Sequence, residues 1–202
     1  MKTIKQISII VILLILIYGV YTLSLPKAVT QIPTIQPPII KASQDIKIQN
    51  NEQPSGDGLV KLTESIKRDS NGDSTYTFKV VDNQTGSIKT IFDSTENSTV
   101  SYNIPDNTWS PDDKQFFIRK TVSGNETYLV FKGDGAIYAN SNHFLDVGDY
   151  WSKTKYTLTM NGITGWASND LLVLLTTQSN GSAGPSFWFV ISSHSFLQLA
   201  SH

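Results

Sequence analysis

The chain has 202 residues, with 16 basic and 17 acidic side chains, a formal net charge of −1 and no cysteine. Near-neutral charge lacks the basic excess of a dedicated nucleic-acid binder, so no nucleic-acid partner is expected. Without cysteine there is no disulfide framework, thiolate metal site, cysteine nucleophile or cysteine-linked N-terminal lipid.

From Ile7 to Leu25 the chain is uncharged and mostly Ile, Leu and Val. At helical rise this run spans about 28 Å, close to a hydrocarbon core of ~30 Å, and predicts one transmembrane anchor helix contacting the lipid bilayer. Tyr18 and Tyr21 fall towards its far end and Pro26 ends it. Lys2 and Lys5 place the N-terminus in the cytoplasm and the remainder outside, a single-pass cell-membrane topology. A cleaved signal peptide is the competing reading, but the apolar stretch is long for one and no small-x-small cleavage site follows it. Residues 26–53 carry Pro26, Pro33, Pro37 and Pro38 among Gln, Asn and Ser, the composition of an extended tether.

Residues 54–202 read as short β-runs between turn clusters. Leu59–Ile66, Tyr76–Val81 and Ile88–Phe92 form one group, with turns at 69–73 and 82–86. Gln115–Val122, Thr127–Lys132 and Ala136–Tyr138 form a second, and Leu171–Thr177, Phe187–Ile191 and Phe196–Ala200 a third. The groups start about 55 residues apart, and Trp109 and Trp166 precede the second and third at matching positions, which is the mark of an internal repeat. The third group is expected to lack its outermost strand.

Trp109, Ser110, Pro111, Asp112 and Asp113, followed by the apolar run Phe116–Ile118, resemble the Trp-Ser-Pro-Asp-Gly signature of TolB-like (WD40-like, PD40) β-propeller repeats. Pro111 and the two aspartates suit a tight turn, and the indole fills the space beneath it. Trp166 and Asp170 repeat the pattern without the proline, and Pro54-Ser55-Gly56-Asp57-Gly58 keeps a fainter copy. The resemblance implies an all-β fold of antiparallel propeller-like blades behind the transmembrane helix. Closed propellers have about four to eight blades, so three units imply an incomplete ring. Unpaired edges invite a further strand. Ser43–Gln49, with Ile46 and Ile48 alternating, is expected to complete the last blade within a monomer, and a dimer is the alternative.

Candidate chemistry is sparse. The three histidines, His143, His194 and His202, have no zinc-ligand spacing, and no Gly-x-Ser-x-Gly elbow supports a nucleophile. Asp69-x-Asn71-x-Asp73 reads as a turn rather than a calcium loop, because its twelfth position is Val80. No catalytic residue, metal or cofactor is expected. The longest insertion runs from Asn140 to Asp149, and long loops carry function. Tyr150 and Trp151 at its end, with His143 inside it, are therefore the expected exposed interaction surface. These readings converge on a non-catalytic, membrane-tethered interaction module binding a protein or polymer of the bacterial cell envelope. A structural surface protein without a dedicated ligand and an envelope hydrolase are the alternatives.

Overall fold

The computed structural model describes residues 48–139 and 141–200. The expected anchor helix Ile7–Leu25, its lysine flank and the proline-rich stretch up to residue 47 lie outside these residues. No helix among the described residues is long and apolar enough to cross a membrane. The fold is all-β and antiparallel, with three four-stranded sheets consecutive in sequence and no closed ring among the described residues.

Sheet 1 is β1 (Ile48–Pro54), β2 (Val60–Arg68), β3 (Ser74–Asp82) and β4 (Ile88–Glu96). Sheet 2 is β5 (Val100–Asn103), β6 (Gln115–Val122), β7 (Asn125–Lys132) and β8 (Leu145–Asp146), and a short helix α1 (Val147–Ser152) follows it. Sheet 3 is β9 (Thr159–Ser168), β10 (Leu171–Thr177), β11 (Phe187–Val190) and β12 (Ser195–Gln198). Within each sheet, strand order follows chain order.

Four features differ from the sequence reading. The stretch expected to be tether as far as residue 53 contains β1, which pairs with β2 from Ile48↔Lys67 to Pro54↔Lys61. Of Ser43–Gln49, expected to complete the last blade, residues 43–47 lie outside the described residues, and Ile48 and Gln49 belong to β1 of the first sheet. The last sheet has all four of its strands, because β9 supplies one from a stretch to which the sequence reading assigns no strand. Gly162 and Gly165 take φ of 151° and 140°, and β-bulges there let β9 stay paired with β10 despite its glycines. Ala136–Tyr138 is irregular, and the fourth strand of sheet 2 is the two-residue β8 inside the expected long loop.

The consecutive apolar residues of β6 and β7 explain why sheet 2 lies in the middle. Phe116, Ile118, Leu129 and Phe131 face sheet 1, in a core with Leu62, Tyr76, Phe78, Val80, Tyr102 and Trp109. Phe117, Tyr128 and Val130 point the other way, into a second core with Leu172, Leu174, Phe187 and Phe189 of sheet 3. A strand covered on both faces needs apolar side chains at odd and even positions alike. Phe116 stacks on Phe131 with ring centres 5.4 Å apart, and both rings are buried. Each such side chain contributes about 1.5–3 kcal/mol by leaving water.

One acid interrupts this apolar interior. Glu64 shares its face of β2 with Leu62 and is fully buried. Its Oε2 accepts from Asn51 Nδ2 of β1 at 2.6 Å, and its Oε1 has no hydrogen-bond partner among the described residues. Burial raises the carboxyl above its ordinary value, opposed by the Asn51 hydrogen bond. A raised folded-state value means the native protein holds the proton more tightly than the unfolded chain. Stability is then highest at or below the ordinary glutamate range and falls as pH rises through the raised folded-state value. Glu64→Gln, which keeps the shape and the acceptor for Asn51, is expected to flatten that fall. Urea unfolding of both proteins across pH 4 to 8 checks it, and parallel pH profiles would contradict it.

Candidate functional site

In an antiparallel meander, successive turns alternate between the two ends of a sheet. The first and third turns of each sheet therefore meet at one end, and the second turns lie at the other. The β2–β3 connection belongs to the second set. There Asp69 Oδ1 accepts from the Asn71 and Asp73 amides at 2.8 and 3.0 Å, an Asx-type hairpin turn.

The signature turns lie in the first set. In sheet 2, Ser110 N donates to Gln115 O at 2.8 Å and Gln115 N to Ser110 Oγ at 2.9 Å, while Ser110 Oγ donates to Asp112 Oδ1 at 2.8 Å. Asp113 closes the turn with φ of 58°. In sheet 1, Ser55 N donates to Val60 O at 2.9 Å, Val60 N to Ser55 Oγ at 3.2 Å, and Ser55 Oγ lies 2.7 Å from Asp57 Oδ1. Gly58 takes the closing position with φ of 71°. The faint first copy in the sequence is thus a full copy in hydrogen bonding. The third departs, because Asn169 and Asp170 make a two-residue hairpin with Ser168 paired to Leu171.

The second and third copies also reach to the unit before them. Trp109 Nε1 donates to Gln53 O at 3.1 Å, and Trp166 Nε1 donates to Thr108 O at 2.9 Å. Gln53 and Thr108 stand at equivalent places, two residues before the signature serine. Asp113 spends both carboxylate oxygens on sheet 1, accepting from Gly56 N at 2.7 Å and Asp57 N at 3.1 Å. Asp170 accepts from Ser192 N at 2.9 Å and Ser192 Oγ at 2.6 Å, joining the two turns of sheet 3. Trp109 and Ser110 are buried, Trp166 is half-buried and Pro111 is exposed.

This end holds a cleft of about 830 Å³ bordered by all three sheets. Val60 and Val80 of sheet 1, Trp109 and Tyr138 of sheet 2 and Ile191 of sheet 3 supply apolar surface. Asp112, Asp113, Lys114, Lys132, Asp134 and His194 supply charge and hydrogen-bonding capacity. Tyr138 is buried and donates to Gln115 Oε1 at 3.1 Å. Lys132 Nζ lies 5.0 Å from the Tyr138 ring centre and donates to Ile137 O at 3.0 Å. Burial, with the nearby Asp134 charge, pushes the Tyr138 phenol far above its ordinary value, so it remains a neutral donor. Among the described residues, no group of three or more His, Cys, Asp or Glu is arranged to hold a metal ion.

The expected surface at the insertion is divided. His143 and Tyr150 border a separate cavity of about 500 Å³ with Asp146 and Asp149. His143 is exposed, and the Tyr150 ring sits 4.9 Å from the His194 ring. Trp151 is buried, 8% exposed, and donates from Nε1 to Leu158 O at 3.1 Å. Its ring packs on Tyr156, Phe187 and Phe196, so Trp151 is a core residue rather than part of an exposed surface. The cause is α1, capped by Asp146 Oδ1 accepting from Asp149 N at 3.1 Å. Adjacent residues on a helix project about 100° apart, so Tyr150 reaches the rim while Trp151 turns inward.

The sequence reading singled out Trp109, Asp112 and Asp113 but not Val60, Val80, Lys132, Tyr138, Ile191, Ser192 or His194. The available signal was the alternation of meander turns, which brings Gly133–Gly135 and Ser192–His194 to the same end as the signatures. No family model matches the chain, and no curated protein matches it.

Proposed function

We propose that this chain is a non-catalytic, membrane-tethered interaction module of the bacterial cell envelope, an incomplete propeller of three blades that docks an envelope protein or polymer in the turn-end cleft. The observation that carries this reading is the cleft itself, which is large enough for side chains of a partner and combines apolar walls with charges of both signs. The propeller reading is supported by the repeated signature turn and by the indole bond from each tryptophan to the unit before it. Tethering is supported by the uncharged run Ile7–Leu25 and the lysines before it. Non-catalytic use is supported by the turn roles of the cleft carboxylates: both Asp113 oxygens accept backbone amides, Asp112 Oδ1 accepts from Ser110, and Asp134 Oδ1 accepts from Ala136 N.

The test is photo-crosslinking in intact cells from a reactive residue at Lys114, exposed on the cleft rim, with Asn71 at the opposite end as control. An adduct at Lys114 that is absent at Asn71, and is lost when Ser192→Trp fills the cleft, is the expected result. Equal labelling at the two ends would defeat the cleft reading. Protease added to spheroplasts should remove the β-domain, and protection of the whole chain would defeat the topology.

A further inference from the structure

The two outermost sheet faces of this three-sheet array are chemically opposite. Strand register places Glu52, Lys61, Thr63, Lys79, Asp93 and Thr95 on the face of sheet 1 that points away from sheet 2. Lys61 and Glu52 form an ion pair there at 2.7 Å, and Thr75 bonds Thr95 through their hydroxyls at 2.9 Å. Apart from a corner made by Val81 and Ile88, this face is built for water.

The equivalent face of sheet 3 carries Leu171, Val173 and Leu175 of β10, Trp188 and Val190 of β11 and Leu197 of β12. These are the alternate positions to Leu172, Leu174, Phe187 and Phe189, which fill the core against sheet 2. The other residues of the face, with the exposed bulge residues of β9 beside them, are Ser, Thr, Gly, Asn and Ala, and none is charged. Leu175 and Leu197 are 36% and 52% exposed. A repeat array normally ends on polar caps, because the last unit has no neighbour to bury its outer face. The outer face of sheet 1 has that polar character and the outer face of sheet 3 does not.

We infer that the outer face of sheet 3 docks on the same face of a second copy of this chain, forming a two-fold symmetric pair. Charge selects this occupant. A copy arriving head to tail would lay the lysines and acids of sheet 1 on the leucines of sheet 3 and strip them of water without partners. The same face turned on itself opposes no charges and matches apolar surface to apolar surface, as an isologous interface requires. Area sets the strength. Four strands about 4.8 Å apart and some five residues long at about 3.4 Å give a footprint of roughly 300–400 Å². That is about half of the ~800 Å² per partner of a standard stable interface, so the pair is weak and concentration-dependent.

The absence of cysteine makes the test direct, since an introduced thiol is the only one in the chain. Full-length Leu175→Cys and Leu197→Cys chains, treated in cells with a flexible bismaleimide that can bridge two packed sheet faces about 10 Å apart, are expected to yield covalent dimers of twice the chain mass. Thr77→Cys, on the sheet 1 face, is expected to yield none. Adding Leu197→Lys to Leu175→Cys should cut dimer yield at least tenfold. The Cys variants stand as the test even if the Lys variant fails to fold. The inference is overturned by a mixed dimer of Leu175→Cys with Thr77→Cys as abundant as the homodimer, or by an adduct of another mass. It is also overturned by thiols shielded from a water-soluble maleimide without any dimer, which would mark a lipid surface as the occupant, and by thiols that react freely yet never dimerise.

Discussion

Trp109→Ala is expected to lower the free energy of unfolding by about 3–5 kcal/mol, the range for truncating a large buried aromatic. The ring is 8% exposed and lies 5.2 Å from Phe116, and its indole nitrogen bonds Gln53 O across the boundary between sheets 2 and 1. Truncation opens a cavity and also leaves a carbonyl of the edge strand without its donor. Trp109→Phe separates the two effects, because it keeps most of the apolar volume and removes only the donor; a loss of about 1 kcal/mol is expected from that substitution. Trp151→Ala is expected to match Trp109→Ala, since Trp151 is equally buried among Phe187, Phe196 and Tyr156. Trp166, only half-buried, should cost less. Denaturant unfolding monitored by far-UV circular dichroism orders the three. A Trp151 variant as stable as the parent would contradict the packing described for α1.

The largest expected effect comes from removing β1. A chain beginning at Ser43 should unfold cooperatively and stay soluble, whereas one beginning at Ser55 should aggregate or lose its cooperative transition. The reasons are local. Seven residues of β2 pair with β1, and without it their outward backbone groups become an open edge that recruits other chains. Glu64 loses Asn51, its one hydrogen-bond partner among the described residues, while remaining in an apolar interior. Trp109 loses the Gln53 carbonyl. Light scattering and thermal melts of the two chains decide the matter, and identical behaviour would show that β1 contributes nothing to the domain.

What the sequence revealed and what it hid follow from how each segment is held. β6 and β7 were legible because a strand covered on both faces must be apolar, and Phe116–Ile118 and Tyr128–Phe131 are; β10 was legible because Leu171–Leu175 is apolar on its core face and on its outward face alike. The signature turn was legible at Ser110–Asp113, where serine, proline and aspartate each have a local reason to be present. β1 was hidden because its sequence, from Gln49 to Gln53, is Gln, Asn and Glu, poor strand formers held in place by pairing with β2. β9 was hidden by Gly162 and Gly165, which ordinarily mark turns and here mark bulges. Trp151 was misplaced because one helical turn after a loop reverses which side chain faces inward, and nothing in a six-residue stretch announces that helix. The cleft was the least legible feature, since its lining comes from turns far apart in sequence that meet only because meander turns alternate ends.

Every paired strand in this domain is bonded to its neighbour in the chain, and that has a consequence for how the protein comes into being. A nascent polypeptide lengthens at about 5–20 residues per second, while a hairpin closes in about 1–10 microseconds. Sheet 1 uses no strand beyond residue 96, so its hydrogen bonding can be complete long before residues 159–198 exist. A ring sealed by joining its first and last strands would instead have to wait for the end of synthesis with an open seam. Here assembly can track emergence one sheet at a time, each new sheet covering the apolar face left by the one before. The charged outer face is made first and the uncharged one last, so during synthesis the apolar outer face is absent until the other two sheets are in place.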